Sequence, residues 1–245
     1  MNVYYCDVSS FVNNNALFEE SQSYYLGLID SERLEKMSRY KFVADKVRSV
    51  AAGILVQVAL KDHIQQKVYS GSEEIKLNLC DILQPEEVLQ LHYSPNAYGK
   101  PFIMAYPNFH FSISHSGDYV CLACHNDKIG MDIQEERGPK TMAISARFFA
   151  PKERELLEAA TDKESREHMF YRIWSAKEAY IKYTGRGISE NLASFTIDLE
   201  GKIVKDTDTN ATTGYLYEPL TLIKNSSAIC IGQEVSELYT IKVNL

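Results

Sequence analysis

The chain has 245 residues, long enough for one large domain or for two of about 120 residues each. Apolar residues make up 45% of it, which supplies an ordinary core and excludes disorder. A formal net charge of −7 argues against a general nucleic-acid binder, which would present a basic face, but leaves room for a local basic pocket facing a phosphorylated ligand.

The first thirty residues carry Asp7, Glu19, Glu20 and Asp30, with neither a basic start nor an apolar stretch of signal-peptide type, so no secretory signal is expected. Met1 to Val8, rich in Tyr and Val, reads as a strand. Asp30-Ser-Glu-Arg33 opens a helix, with Asp30 or Ser31 as its N-cap. Arg33, Lys36, Arg39, Lys41, Lys46 and Arg48 then form the densest basic stretch, which is either a solvated helix face or an anion site. A second helix runs from Val50 to Ile64. Its apolar run, Ser49 to Leu60, is too short to span a bilayer and reads as buried.

Tyr98-Gly-Lys-Pro101 is a turn by composition. Phe109, Phe111 and Ile113 line one face of the next strand, and His110, Ser112 and Ser114 line the other. The chain turns at Ser116-Gly-Asp118 and returns as a strand over Tyr119 to Cys124. A third follows, in which Ile129, Met131 and Ile133 alternate with Gly130, Asp132 and Gln134, so three strands are expected in succession. Ala143 to Glu158 is helical with a break at Ala150-Pro151, where Pro151 suits a first turn. Arg166 to Tyr183 is a long helix stopped by Gly185. Alternating runs such as Phe195 to Leu199 and Tyr239 to Val243 predict an antiparallel sheet over the remainder. No tandem repeat is present, yet each half carries strands and a long helix. An α+β pair is expected, with residues 1–127 as one half and 128–245 as the other.

Two local patterns suggest chemistry and fail. Cys121-Leu-Ala-Cys-His125 matches a c-type haem attachment, but on a strand its cysteines face opposite sides and no export signal accompanies it. The five cysteines are expected to be reduced thiols in the cytoplasm. Ser114-His115-Ser116 lacks a nucleophile elbow, and adjacent side chains on an extended backbone point apart. Hydrogen bonds to an anion suit this pair better than a hydrolase triad does.

The third pattern is stronger. Trp174, Glu178 and Lys182 fall at i, i+4 and i+8 on one helix stripe. Asp132 and Gln134 share one strand face. Two carboxylates with a lysine one turn on suit a hard divalent cation beside a phosphate. The bland alternative is a surface pair between Glu178 and Lys182, contributing roughly 0.3–0.5 kcal/mol.

The motifs Gly99-Lys-Pro101, Phe111-Ser-Ile-Ser-His-Ser-Gly117, Gly130-Met-Asp-Ile133, Phe148-Phe149, Trp174-Ser-Ala-Lys-Glu-Ala-Tyr-Ile-Lys182 and Gly185-Arg-Gly187 occur in one order. That order resembles the 4′-phosphopantetheinyl transferases of the large, surfactin-synthetase-activating (Sfp) type, over residues 30–194. The resemblance implies two similar α+β halves related by a pseudo-twofold, with coenzyme A bound in the cleft between them. It implies transfer of the phosphopantetheine arm of coenzyme A to a serine of an apo acyl or peptidyl carrier protein, with release of adenosine 3′,5′-bisphosphate. It also implies magnesium held by Asp132 and Glu178, with Gln134 as a doubtful third ligand because many members have Glu there. Lys182 and His115 resemble pyrophosphate or 3′-phosphate contacts, and Lys177 a further cation for the leaving phosphate. Lys100 and Ser114 resemble residues lining the nucleotide; Arg33, Lys36 and Arg48 resemble the basic region that holds the 3′-phosphate end. Glu153 matches an acidic position considered for general-base work, beside Glu178 and a metal-bound hydroxide. Trp174 is expected to pack beneath the site. A cytoplasmic monomer without nucleic-acid or membrane partners is expected. The alternatives are a coenzyme A-binding protein of the same fold without transferase activity, motivated by Gln134, and an adaptor module whose charged motifs are solvated faces.

Overall fold

A computed structural model describes residues 1–71, 73–138, 141–187 and 190–245. The chain forms two compact units, one of residues 1–95, 101–126 and 237–245, the other of residues 96–100 and 127–236.

The first unit begins with β1 (Asn2–Asp7), two helices α1 (Ser9–Asn13) and α2 (Asn15–Leu26), then α3 (Ser31–Ser38) and α4 (Val43–Ile64). Asp30 caps α3, its side chain accepting from the Arg33 N–H at 2.9 Å. The α4 helix starts earlier than its apolar run because Asp45, Lys46 and Arg48 form a polar first turn that hydrophobic periodicity overlooks. Val50, Ile54, Leu55 and Val58 of α4 are buried in one core with Tyr4 of β1. The chain continues through β2 (Ile75–Asn78), α5 (Leu79–Ile82), β3 (Tyr93–Pro95), β4 (Pro101–Ile103) and the hairpin β5 (His110–Ser116) to β6 (Tyr119–His125).

The second unit comprises β7 (Ile129–Glu135), α6 (Thr141–Phe148), α7 (Pro151–Ala159), α8 (Lys163–Thr184), β8 (Phe195–Asp198), β9 (Ile203–Asp206), β10 (Thr212–Tyr217) and β11 (Asn225–Ile231). Its five strands are antiparallel in the order β7-β11-β10-β9-β8. Asp162 caps α8 through the Ser165 N–H, and Gly185 ends it in the left-handed region at φ 70°. The last strand, β12 (Tyr239–Asn244), returns to the first unit, whose sheet runs β2-β12-β1-β6-β5.

Each unit therefore lays one 22-residue helix on a five-stranded sheet. The strands β5, β6 and β7 follow one another as expected, and β7 pairs with β11. Two expectations are corrected. β12 does not join the C-terminal antiparallel sheet, because it pairs in parallel with β1 and β2. The division at 127/128 accordingly omits residues 237–245, which belong with the N-terminal unit, and residues 96–100, which belong with the C-terminal one. No helix among the described residues is long and apolar enough to cross a membrane.

The contact that matters most for chemistry lies at Gly130. A Cβ there would sit 1.9 Å from the Ala179 carbonyl oxygen and 2.3 Å from the Tyr183 nitrogen, so β7 and α8 touch backbone to backbone. Gly130→Ala is expected to cost about 3 kcal/mol or more, because neither main chain can yield. Urea unfolding measures it; an unchanged midpoint would mean that helix and strand do not meet there.

Candidate active site

Close approach at Gly130 brings the face of β7 that carries Gly130 and Asp132 to the stripe of α8 that carries Glu178 and Lys182. Asp132 is only 2% exposed. One of its oxygens accepts from Lys182 Nζ at 2.6 Å, and the other from Gln134 Nε2 at 2.7 Å. Glu178 is half-buried one turn before Lys182. Burial holds its carboxyl above the usual range; the Asp132 carboxylate pushes it further up, and Lys182 opposes them.

Two interacting acids in a desolvated place fit a hard divalent cation, which needs one or two carboxylates when phosphate oxygens complete its shell. Among the described residues no set of three or more His, Cys, Asp or Glu side chains is placed to hold a metal. Gln134 here turns its nitrogen to Asp132, acting as a donor.

Lys177 and Glu153 do not belong to this group. Both side chains are 0% exposed and they pair at 2.9 Å. Glu153 also accepts from the N–H groups of Ala150 and Ile197, each at 2.7 Å, while Lys177 donates to the carbonyls of Leu192 and Phe195. Burial pushes Glu153 up and Lys177 down, and each is opposed by the charge of the other. Successive residues on a helix point about 100° apart, so Lys177 enters the core where Glu178 faces β7. The roles expected for Glu153 as a base and for Lys177 as a phosphate contact are therefore corrected: the two hold α7, α8 and β8 together. Trp174 packs as expected, stacking on Phe170 with ring centroids 6.0 Å apart.

Lys100 is also committed. Its Nζ donates to the carbonyls of Ile129 and Lys182, both at 2.6 Å, and burial pushes it down to about 8 with help from Lys128 and Lys182. The expectation was that Lys100 lines the nucleotide; its ammonium here is engaged by these two carbonyls.

In the first unit, Arg48 grips the Gly117 carbonyl through Nε and Nη2 at 3.0 and 2.9 Å, and reaches Asp45 through Nη1. It holds the β5–β6 turn. Arg33 and Lys36 lie one turn apart on α3. The Arg33 guanidinium lies 5.4 Å from the Tyr93 ring centroid, and its Nε is buried with no hydrogen-bond partner. Burial and the Arg33 charge lower Lys36. Ser49 Oγ is likewise buried and unpartnered. It shares a stripe of α4 with Gly53, where a Cβ would strike Arg33 Cγ at 2.7 Å. Ser49 is a buried polar residue that the motifs missed, and its spacing of four from Gly53 was the available signal. On β5, Ser114 is buried and His115 exposed, as alternation requires. None of the five cysteines forms a disulfide, and Cys121 and Cys124 are both buried.

Comparison with known proteins shows the family. Residues 128–231 match the model of the 4′-phosphopantetheinyl transferase superfamily. The chain is 33% identical over 183 residues to the 4′-phosphopantetheinyl transferase ffp of Bacillus subtilis, covering 75% of this chain and 72% of that protein. It is equally similar, with the same coverage, to the 4′-phosphopantetheinyl transferase Sfp of Bacillus subtilis strain 168. A holo-(acyl-carrier-protein) synthase from Bacillus anthracis, solved in complex with CoA (3′,5′-ADP), is 22% identical over 42% of this chain and 92% of its own, at a TM-score of 0.33, a likeness too slight to argue from. The chain belongs to the 4′-phosphopantetheinyl transferase superfamily. Within it, the chain is of the large, Sfp type.

Lys177→Met is expected to destabilise the protein by about 3–5 kcal/mol, because it strands a buried carboxylate. The double variant with Glu153→Leu should recover much of that loss. Chemical denaturation of the three proteins measures it, and additive losses would mean that the two charges do not depend on each other.

Proposed function

We propose that Asp132, Glu178 and Lys182 carry the reaction of this transferase. The enzyme moves the 4′-phosphopantetheine arm of coenzyme A to a serine of an apo acyl or peptidyl carrier protein, and adenosine 3′,5′-bisphosphate leaves. The observation that supports these residues is the Lys182–Asp132 contact beside Glu178, two acids and a cation gathered where β7 meets α8. Asp132 and Glu178 are the residues that would hold magnesium, which supplies neutralisation of pyrophosphate charge. Lys182 stands ready to offset charge on the leaving phosphate. The serine oxygen forms a bond to the phosphorus of the pantetheine phosphate as the bond to the departing bisphosphate breaks. Of the two glutamates considered for the serine proton, Glu153 is fully buried and Glu178 is half-buried. Arg33, Lys36 and Ser49 form the group suited to the 3′-phosphate. A cytoplasmic monomer fits this reading, since one chain carries both α+β units and its cysteines form no disulfide.

Intact-mass spectrometry of several apo carrier proteins, incubated with coenzyme A and magnesium, tests the activity. Asp132→Ala and Glu178→Ala are each expected to lose about 100-fold or more in turnover, since each removes charge on which the transition state depends. Lys163→Ala, in an exposed pair with Glu167, should retain full activity. Wild-type turnover in the Asp132 variant would refute the assignment.

Gln134 sets the demand for metal. Gln134→Glu replaces a donor to Asp132 by a third carboxylate, so it should stay active and reach half-maximal rate at lower magnesium. Gln134→Ala should lose roughly tenfold or less. Magnesium titration at fixed coenzyme A decides, and a Glu variant that needs more magnesium would overturn the account.

A further inference from the structure

The loop of residues 96–100 is remote in sequence from the second unit yet belongs to it, and its side chains there take up main-chain carbonyls. Asn96 Nδ2 donates to the Gly185 carbonyl at 3.0 Å. Lys100 Nζ donates to the carbonyls of Lys182 and Ile129, both at 2.6 Å. The loop is itself preset. Asn96 Oδ1 accepts from the N–H groups of Tyr98 and Lys100 at 2.9 Å, the Asn96 N–H closes on the Lys100 carbonyl at 2.8 Å, and Gly99 supplies a φ of 90°.

The carbonyls of a helix's last turn have no helical donor. In α8 the Ile181 carbonyl is met by the Gly185 N–H, and the next one, that of Lys182, is met by Lys100. The same ammonium reaches Ile129, immediately before the Gly130 contact. One side chain thus ties the C-terminal turn of α8 to the first residue of β7. Those are the two elements whose separation decides whether Lys182 Nζ lies 2.6 Å from Asp132.

We propose that Lys100 and Asn96 are positioning residues for the transfer reaction, a clasp that sets the Lys182–Asp132 geometry, and that the Lys100 ammonium does not serve the nucleotide. This rests on the assignment of Asp132, Glu178 and Lys182 as the reacting group. A nucleotide contact would act on coenzyme A affinity. A clasp acts on the placement of charge about the breaking bond, and so on turnover.

The test uses the full chain, an apo acyl carrier protein, coenzyme A and dephospho-coenzyme A. Lys100→Met is expected to lower kcat by about tenfold, in line with the sensitivity of catalysis to small misplacements. Its KM for coenzyme A should stay within about twofold of wild type. The preference for coenzyme A over dephospho-coenzyme A should be unchanged. Asn96→Ala should give the same split with a smaller loss, and it carries the test if Lys100→Met does not fold. A raised KM with unaltered kcat, a collapsed preference between the two coenzymes, or unaltered kinetics in both variants would overturn the clasp. Asp132→Ala and Lys182→Ala separate the two failures. If they retain wild-type turnover, the site assignment itself is wrong. If they are impaired while Lys100→Met and Asn96→Ala match wild type, the clasp alone is wrong.

Discussion

The absence of one side chain, at Gly130, conditions the chemistry of the second unit. With no Cβ in the way, β7 lies directly on the backbone of α8, and Gly130 and Ala179, 49 positions apart in sequence, become neighbours. Asp132 follows Gly130 by two and so emerges on the same strand face. Glu178 and Lys182 straddle the point of contact on the helix. Two acids and a cation therefore meet because two main chains can touch, and not because any loop gathers them.

The charges of α8 divide into two kinds, and exposure sorts them. Lys177 is fully satisfied in the core by Glu153 and two carbonyls, with no donor left over for a ligand. A buried pair of this kind is costly to break and contributes little on its own, so its use is to fix the helix in one register. Lys182, one turn and a little further, keeps its ammonium at the edge of the site. The same residue type has opposite roles because a helix rotates about 100° per residue. Lys100 and Arg48 extend the lesson: both are cations in motifs that suggest phosphate, and both donate to main-chain carbonyls, Arg48 reaching the Asp45 carboxylate as well.

The transferase reaction calls for positive charge at two places along coenzyme A, the pyrophosphate and the 3′-phosphate end. In the second unit Lys182 stands with two acids. In the first, Arg33 and Lys36 lie one turn apart on α3, and Arg33 Nε and Ser49 Oγ are buried without a hydrogen-bond partner. A chain of net charge −7 can therefore bind a polyanion, because the sign of a site is set by its own few residues.

The sequence by itself determined the elements and their punctuation. The Asp30 cap, the break at Pro151, the stop at Gly185 and the alternation in β5 to β7 all follow from interactions between residues a few positions apart, and such interactions are written locally. It also determined the family, since the order of its motifs survives whatever the packing does, and with the family came Asp132, Glu178 and Lys182. Tertiary structure alone decided which strands pair. β12 lies parallel to β1 more than 230 residues away, and no local pattern distinguishes that from a place in the antiparallel sheet. It also decided which charges are available. Periodicity says which way a side chain leaves its own helix or strand, but whether Glu153, Lys177, Arg48 or Lys100 then meets solvent, a carbonyl or an opposite charge depends on the element that arrives from elsewhere in the chain.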